Sequence, residues 1–236
     1  MTNQPFHIAI DGPVAAGKGT VSRLVADRLA FLYVDTGAMY RVTAWMSIHA
    51  DIDLTDEAAV SALIEKTNIE MYNPKGDERD GRLTTVKVNG EDVSWQIRTE
   101  EIGRGASKVA VHPLVRKALV AKQQNIAKNQ NIVMEGRDTT YAVLPDAQLK
   151  IYLTASDTVR AKRRHMQLLT KGTDVEFAQV YKDLLERDEL DTNRKTDPLK
   201  IVPEAWVIDT SDLSIERVVE MIVAKVQVLL ESSKKS

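Results

Sequence analysis

Ile8-Ala9-Ile10-Asp11-Gly12-Pro13-Val14-Ala15-Ala16-Gly17-Lys18-Gly19-Thr20 is the stretch whose reading decides the fold. An apolar, β-branched run breaks into glycines and resumes as Val21-Ser22-Arg23-Leu24-Val25-Ala26-Asp27-Arg28-Leu29, which predicts strand, loop and helix in that order. This is the pattern of a phosphate-binding loop. Backbone N–H groups of such a loop converge on phosphate oxygens at a helix N-terminus. Gly12 and Gly17 let the chain turn and approach the ligand, and Lys18 carries positive charge to the outer phosphates. The Ser or Thr that usually follows the lysine is here Gly19, with Thr20 one residue later.

Strand candidates at 6–10, 31–34, 131–134, 149–153 and 205–208 alternate with helical stretches. That rhythm predicts an α/β fold, a P-loop NTPase-type parallel five-stranded sheet covered by helices on both faces. The segment 214–230 carries Val218, Val219, Ile222, Val223 and Val226 at helical spacing and should close the core, whereas 231–236 has nothing to bury and should fray. Between 67 and 102 the texture changes. Met71-Tyr72 and Thr84-Thr85-Val86-Lys87-Val88 precede Asn89-Gly90, a hairpin signal, so this stretch reads as a small antiparallel insert with an exposed loop at 76–82. A helical segment from about 102 to 127 follows, with a break near Pro113. The core is therefore expected at 1–66 and 103–236, with a helical lid at about 157–194.

The chain has 236 residues, 43% of them hydrophobic, enough to bury a substantial core. A net charge of −2 argues against a general nucleic-acid or anionic-membrane partner, so basic clusters must have local tasks. The absence of cysteine excludes disulfides, thiolate catalysis and thiolate-bound metals, and the metal expected is a hard cation held by oxygens and phosphate. No apolar run approaches the ~20 residues of a membrane span, and a cytoplasmic protein is expected.

Polar groups gather where the strands end, the edge at which open α/β sheets bind ligands. The second strand ends in Asp35-Thr36-Gly37-Ala38-Met39-Tyr40-Arg41. There Asp35 or Thr36 could cap a helix, and Arg41, one turn on, could point back at the same crevice. The third ends in Glu135-Gly136-Arg137-Asp138, where Arg137 offers a planar fork for a phosphate or carboxylate, and a structural ion pair would look the same. Arg160, Arg163 and Arg164 share a helical face after the fourth strand, either a solvated face or a lid whose cations neutralise phosphate. Arg187, Asp191 and Arg194 fall on one stripe if that helix continues far enough.

Taken in order, these motifs, with Leu144-Pro145-Asp146-Ala147 and Glu186-Arg187-Asp188, resemble the bacterial cytidylate kinases from about residue 8 to 223. The Gly-Lys-Gly-Thr form of the loop is itself closer to nucleoside monophosphate kinases than to GTPases. Asn89-Gly90-Glu91-Asp92-Val93-Ser94 and Ile97-Arg98-Thr99 resemble the end of the family's enlarged monophosphate-binding insert. The resemblance implies phosphoryl transfer from ATP to CMP or dCMP with Mg²⁺, by a monomer. Gly12, Pro13, Val14, Ala15, Ala16, Gly17, Lys18, Gly19 and Thr20 would wrap the donor phosphates. Arg41 and Arg137 would hold the acceptor phosphate. Thr36, Arg116, Asp138 and Arg194 would surround the cytosine, and Ser107, Arg187 and Asp191 would meet the ribose. Lys18, Arg41, Arg137 and Arg187 form the catalytic set on this reading, with Arg160, Arg163 and Arg164 closing over the transferring group.

Three places along the chain depart from the family's usual pattern. Thr139-Thr140-Tyr141 replaces an apolar residue followed by Gly-Thr, Thr36 stands for Ser, and Glu135 stands for Asp. A threonine at a glycine position restricts the backbone, so the loop beside Asp138 could take another shape. Two other functions fit parts of the pattern, a kinase for UMP or a metabolite alcohol and a nucleotide-dependent switch. The chain has no Asn-Lys-x-Asp guanine motif, which weighs against the switch.

Overall fold

The computed structural model describes residues 4–170 and 172–233. Its main sheet is parallel, with β1 (His7–Asp11) at the centre between β6 (Ile132–Gly136) and β7 (Leu149–Thr154), β2 (Leu32–Asp35) beyond β6 and β8 (Trp206–Asp209) beyond β7. Side chains alternate across the central strands. Ala9, Val34, Ile132 and Met134 join one buried cluster, with α2 (Thr36–His49), α3 (Glu57–Lys66), α4 (Glu100–Val109) and α5 (Pro113–Ala127). Ile8, Ile10, Tyr33, Val133 and Ile151 join the other, with α1 (Lys18–Leu29) and α8 (Ile215–Ser233). Burial on both faces is why these strands read as continuous apolar runs.

The antiparallel sheet is also present, as β3 (Ile69–Tyr72), β4 (Thr85–Val88) and β5 (Glu91–Asp92). Asn89 and Gly90 turn the hairpin with φ of +50° and +90°, the left-handed pair a tight two-residue connection needs. Met71, Val86 and Ile97 pack into the same cluster as α2, so the insert is continuous with the core on that side. Asn73, directly after β3, ties the insert to the main sheet. The side-chain oxygen of Asn73 accepts from Tyr33 N at 2.9 Å and its nitrogen donates to Phe31 O at 2.8 Å, so one amide pairs with the outer edge of β2 as a neighbouring strand would. Asn73→Ala would strand a buried N–H, and is expected to lower unfolding free energy by about 1–3 kcal/mol. A shifted urea midpoint at unchanged slope is the check.

Two boundaries differ from the sequence reading. The helix expected from 102 begins at Glu100, capped by Thr99, whose hydroxyl accepts from Ile102 N, so a core boundary at 103 falls inside a continuous helix. The break near Pro113 is real, and Pro113 occupies the first turn of α5, where its missing N–H is harmless. At the other end the expected frayed tail is helical through Ser233, although the apolar face of α8 ends at Leu230 and Glu231 and Ser232 are exposed, and 234–236 lie outside the described residues. The expected lid region holds α6 (Asp157–Thr170) and α7 (Phe177–Asn193). Among the described residues no helix is long and apolar enough to cross a membrane.

Candidate active site

The loop between β1 and α1 is shaped by its glycines. Gly12 has φ +149°, and a Cβ there would fall 2.0 Å from Leu153 O on the neighbouring strand, so only glycine fits. Gly17 has φ +91° and no side chain caps α1, which leaves its first N–H groups facing the loop's concavity. Lys18 is buried, and its Nζ donates to Gly12 O and Pro13 O, each at 2.7 Å. The ammonium expected on outer phosphates here clasps the carbonyls of its own loop.

Beside it stands Glu135, also buried, which accepts from Tyr33 Oη at 2.5 Å and approaches Gly19 so closely that a Cβ there would be 3.1 Å from its Oε1. Burial and then the charge of Arg137 pull the Lys18 pKa down, while burial and then Asp35 push that of Glu135 up. The opposite charges of the two each favour the other's ionised form, against their burial.

Asp11, the last residue of β1, was given no role by the sequence. It is fully buried, and its carboxylate takes Thr139 N and Oγ1 at 2.9 and 2.7 Å on one oxygen, and Thr140 N and Oγ1 at 2.8 and 2.6 Å on the other. These bonds anchor a single π-type turn, Thr139–Val143, directly after Asp138. Thr140 is not among the positive-φ residues, so the threonine at the family's glycine position sits there without the strain the sequence suggested.

Asp138 pairs with the fully buried Arg116, whose Nε also donates to Asp197 Oδ2 at 3.0 Å and whose guanidinium lies 5.6 Å from the Tyr40 ring centre. Burial lifts the Asp138 pKa to about 6 against the pull of Arg116 and Arg194. Asp138 Oδ1 lies 3.8 Å from Arg194 Nη2, a buried nitrogen with no hydrogen-bond partner among the described residues. An acceptor and a donor thus stand side by side, each able to take more. Thr36 is buried, but its hydroxyl donates to Glu135 O at 2.8 Å. Asp35 caps α2 by accepting from Ala38 N at 3.2 Å, and its second oxygen takes Arg98 at 3.1 Å.

Arg137 donates through Nε to Asp191 Oδ2 at 2.7 Å, which depresses the Asp191 pKa. The helical stripe is only partly realised: α7 ends at Asn193 and Arg194 has extended backbone, although its Nη1 still lies 3.8 Å from Asp191. A cavity of about 790 Å³ opens between α4 and the α6–α7 pair, lined by Arg41, Arg98, Arg104, Ser107, Arg164 and Arg187 among others. Arg187 Nε is buried with no hydrogen-bond partner among the described residues, and burial together with Arg137, Arg41 and Arg164 lowers its pKa to about 10. Guanidiniums crowded to that extent call for an anion.

The three basic residues of the expected lid are not equivalent. Arg164 faces the cavity and pairs with Glu100 at 3.1 Å. Arg160 is buried on Val14 O and Ala155 O, and Arg163 donates to Thr210 Oγ1 and Thr210 O. The single helical face of the sequence reading is divided between the cavity and the core. Asp11, Arg98 and Asp197 are the residues the sequence left unassigned. A charge ending the apolar run of β1 was a usable signal for Asp11, and nothing in the local sequence marked Asp197.

The cytidylate kinase family matches this chain over residues 8–228. The cytidylate kinase of Geobacillus sp. (strain WCH70) is 46% identical over 217 residues, 92% of this chain and 94% of that one. That of Bacillus subtilis (strain 168) is 41% identical over 222 residues, 94% and 96% of the two chains. Among solved structures, an uncharacterized protein from Eubacterium ventriosum shares 9% identity at a TM-score of 0.50, covering 94% of this chain and 98% of that one, a likeness of fold alone. With a phosphate-binding loop, a crowded arginine cavity and a match running almost end to end, this chain belongs to the cytidylate kinase family.

Proposed function

We propose that the protein phosphorylates CMP and dCMP with ATP by direct in-line transfer, using the residues assembled above. An oxygen of the acceptor phosphate attacks the γ-phosphorus, the bond to the β–γ bridging oxygen breaks, and ADP leaves. No covalent enzyme intermediate is needed. Catalysis is alignment and charge neutralisation. The loop from Gly12 to Thr20 holds the donor phosphates, with Lys18 leaving its carbonyl partners for them. Arg41, Arg137 and Arg187 receive the acceptor phosphate and the transferring group, and Arg164 joins them from α6. The observation that carries this reading is Arg187 Nε, buried with no hydrogen-bond partner among the described residues, beside Arg41, Arg98, Arg104 and Arg164 in the cavity lining.

The residues fit a magnesium ion held mainly by nucleotide phosphates. Among the described residues no cluster of three or more His, Asp or Glu forms a metal cage, but Glu135 presents a hard, buried oxygen beside the donor loop. Glu135 and the Thr20 hydroxyl would hold the ion, which when bound supplies charge to the β- and γ-phosphates. Asp138 and Arg194 read the base. Cytosine offers an amino donor beside ring acceptors, matching the open carboxylate oxygen and the partnerless guanidinium nitrogen. The sugar lies toward Ser107 and Asp191, the insert at 67–102 covers the acceptor, and α6–α7 form the lid.

The test is ADP release with CMP, dCMP, UMP and AMP in turn. CMP and dCMP are expected to be used well, and UMP at least tenfold less efficiently, because uracil places an acceptor where Asp138 needs a donor. Equal kcat/KM for AMP and CMP would overturn the base assignment. Nucleotide binding with no ADP release would favour a switch.

A further inference from the structure

Arg160 emerges from the first turn of α6 yet does not reach the cavity. Its side chain is nearly fully buried. Nε donates to Ala155 O at 3.1 Å, Nη2 donates to Asp157 Oδ1 at 2.6 Å, and Nη1 donates to Val14 O at 3.1 Å while lying 2.6 Å from Asp188 Oδ2 on α7. One guanidinium therefore touches the end of β7, the start of α6, the donor loop and the helix that bears Arg187 and Asp191. Its contact on the loop is the carbonyl immediately before Ala15, whose φ of +58° is uncommon for a residue with a side chain. Such a conformation persists only where its surroundings fix it. A weaker contact lies on the same segment: Thr210 Oγ1, which accepts from Arg163, has its one proton between Thr154 O at 3.0 Å and Ala16 O at 3.4 Å.

We propose that Arg160 is a positioning residue of the donor site, joining the Val14–Ala15 peptide to Asp188 so that the placement of α7 sets the shape of the phosphate-binding loop. This rests on the reading that Gly12 to Thr20 bind ATP phosphates. Arg160 touches no phosphate on this account. Asp188 acts through it, although its neighbours Arg187 and Asp191 serve the acceptor side. Lysine at 160 would keep the charge but lack the planar fork that serves several acceptors at once.

The experiment is equilibrium binding of ATP alone and of CMP alone to wild type, Asp188→Asn, Arg160→Lys and the double variant, with thermal melts of each. Asp188→Asn is expected to weaken ATP about tenfold and leave CMP within twofold, and the double variant to be no weaker for ATP than Arg160→Lys. Three results overturn the proposal. A change in CMP affinity with ATP unaltered would place Asp188 on the acceptor face, and multiplying effects in the double variant would make Arg160 a separate phosphate contact. Unaltered affinity for both nucleotides in Asp188→Asn overturns it as well, and does so even if Arg160→Lys fails to fold. If wild type itself does not bind ATP, the donor-loop reading has failed instead, which the wild-type measurement reports by itself.

Discussion

Lys18→Ala is expected to lower kcat by about 10²-fold or more, because it removes a preorganised charge from the phosphoryl transition state. Two further consequences follow from where the ammonium sits. It is bonded to Gly12 O and Pro13 O, so its loss also frees the loop's first turn, and the KM for ATP should rise along with the fall in kcat. Burial already works against the charged form, so the fold does not depend on it, and the melting temperature should move by only a few degrees. Steady-state kinetics at saturating CMP, with a thermal melt of the same sample, checks both. A folded variant turning over at the wild-type rate would remove Lys18 from the mechanism.

The position of Lys18 marks how far the sequence could be read. Glycines, a lysine and a following amphipathic run determine the loop's backbone, because positive φ and the missing Cβ at Gly12 allow few alternatives. The parallel sheet was legible at the level of class, since buried parallel strands read as apolar runs, as Ile132-Val133-Met134 does in β6 before the charged Glu135. What the side chains do at the sheet edge was less legible. Arg160 and Arg164 are one helical turn apart in a single basic run, and nothing local says that one is buried on Val14 O while the other faces a cavity. That division is made by α7, which brings Asp188 to Arg160 from a distant part of the chain.

Thr36 and Arg194 teach the same lesson from opposite sides. Both were expected at the base, and the structure uses the Thr36 hydroxyl on Glu135 O while leaving Arg194 Nη2 unpartnered beside Asp138. Residue type predicts which hydrogen bonds are possible. Only the folded arrangement shows which have already been made and which remain for a ligand. Asp197 is the clearest case, a left-handed residue beyond α7 whose carboxylate completes the partners of Arg116. Its part in the pocket depends on tertiary contact and left no trace in the local pattern.

Asp11→Ala is expected to be the most destabilising single substitution near the site, by about 3–5 kcal/mol. Thr139 and Thr140 are both buried, and each gives Asp11 a backbone N–H and a hydroxyl. The hydroxyls can turn to seek another acceptor, but the two amides are fixed by the π-type turn and would be left in a water-poor interior. An unpaired buried amide costs about 1–3 kcal/mol, so two of them consume a large part of the ~5–15 kcal/mol by which a domain is stable. Asp11→Asn keeps the shape but points an amide nitrogen at donors, so it should recover only part of the loss. Because the turn begins directly after Asp138, the variants that still fold should also lose preference for CMP over UMP, with Lys18-dependent ATP binding changing less. Urea unfolding gives the first quantity and the ratio of kcat/KM for CMP and UMP the second. A loss below about 1 kcal/mol in Asp11→Ala would mean that the turn holds itself together without the carboxylate, and would leave the threonines in place of the family's apolar-glycine pair without a structural reason.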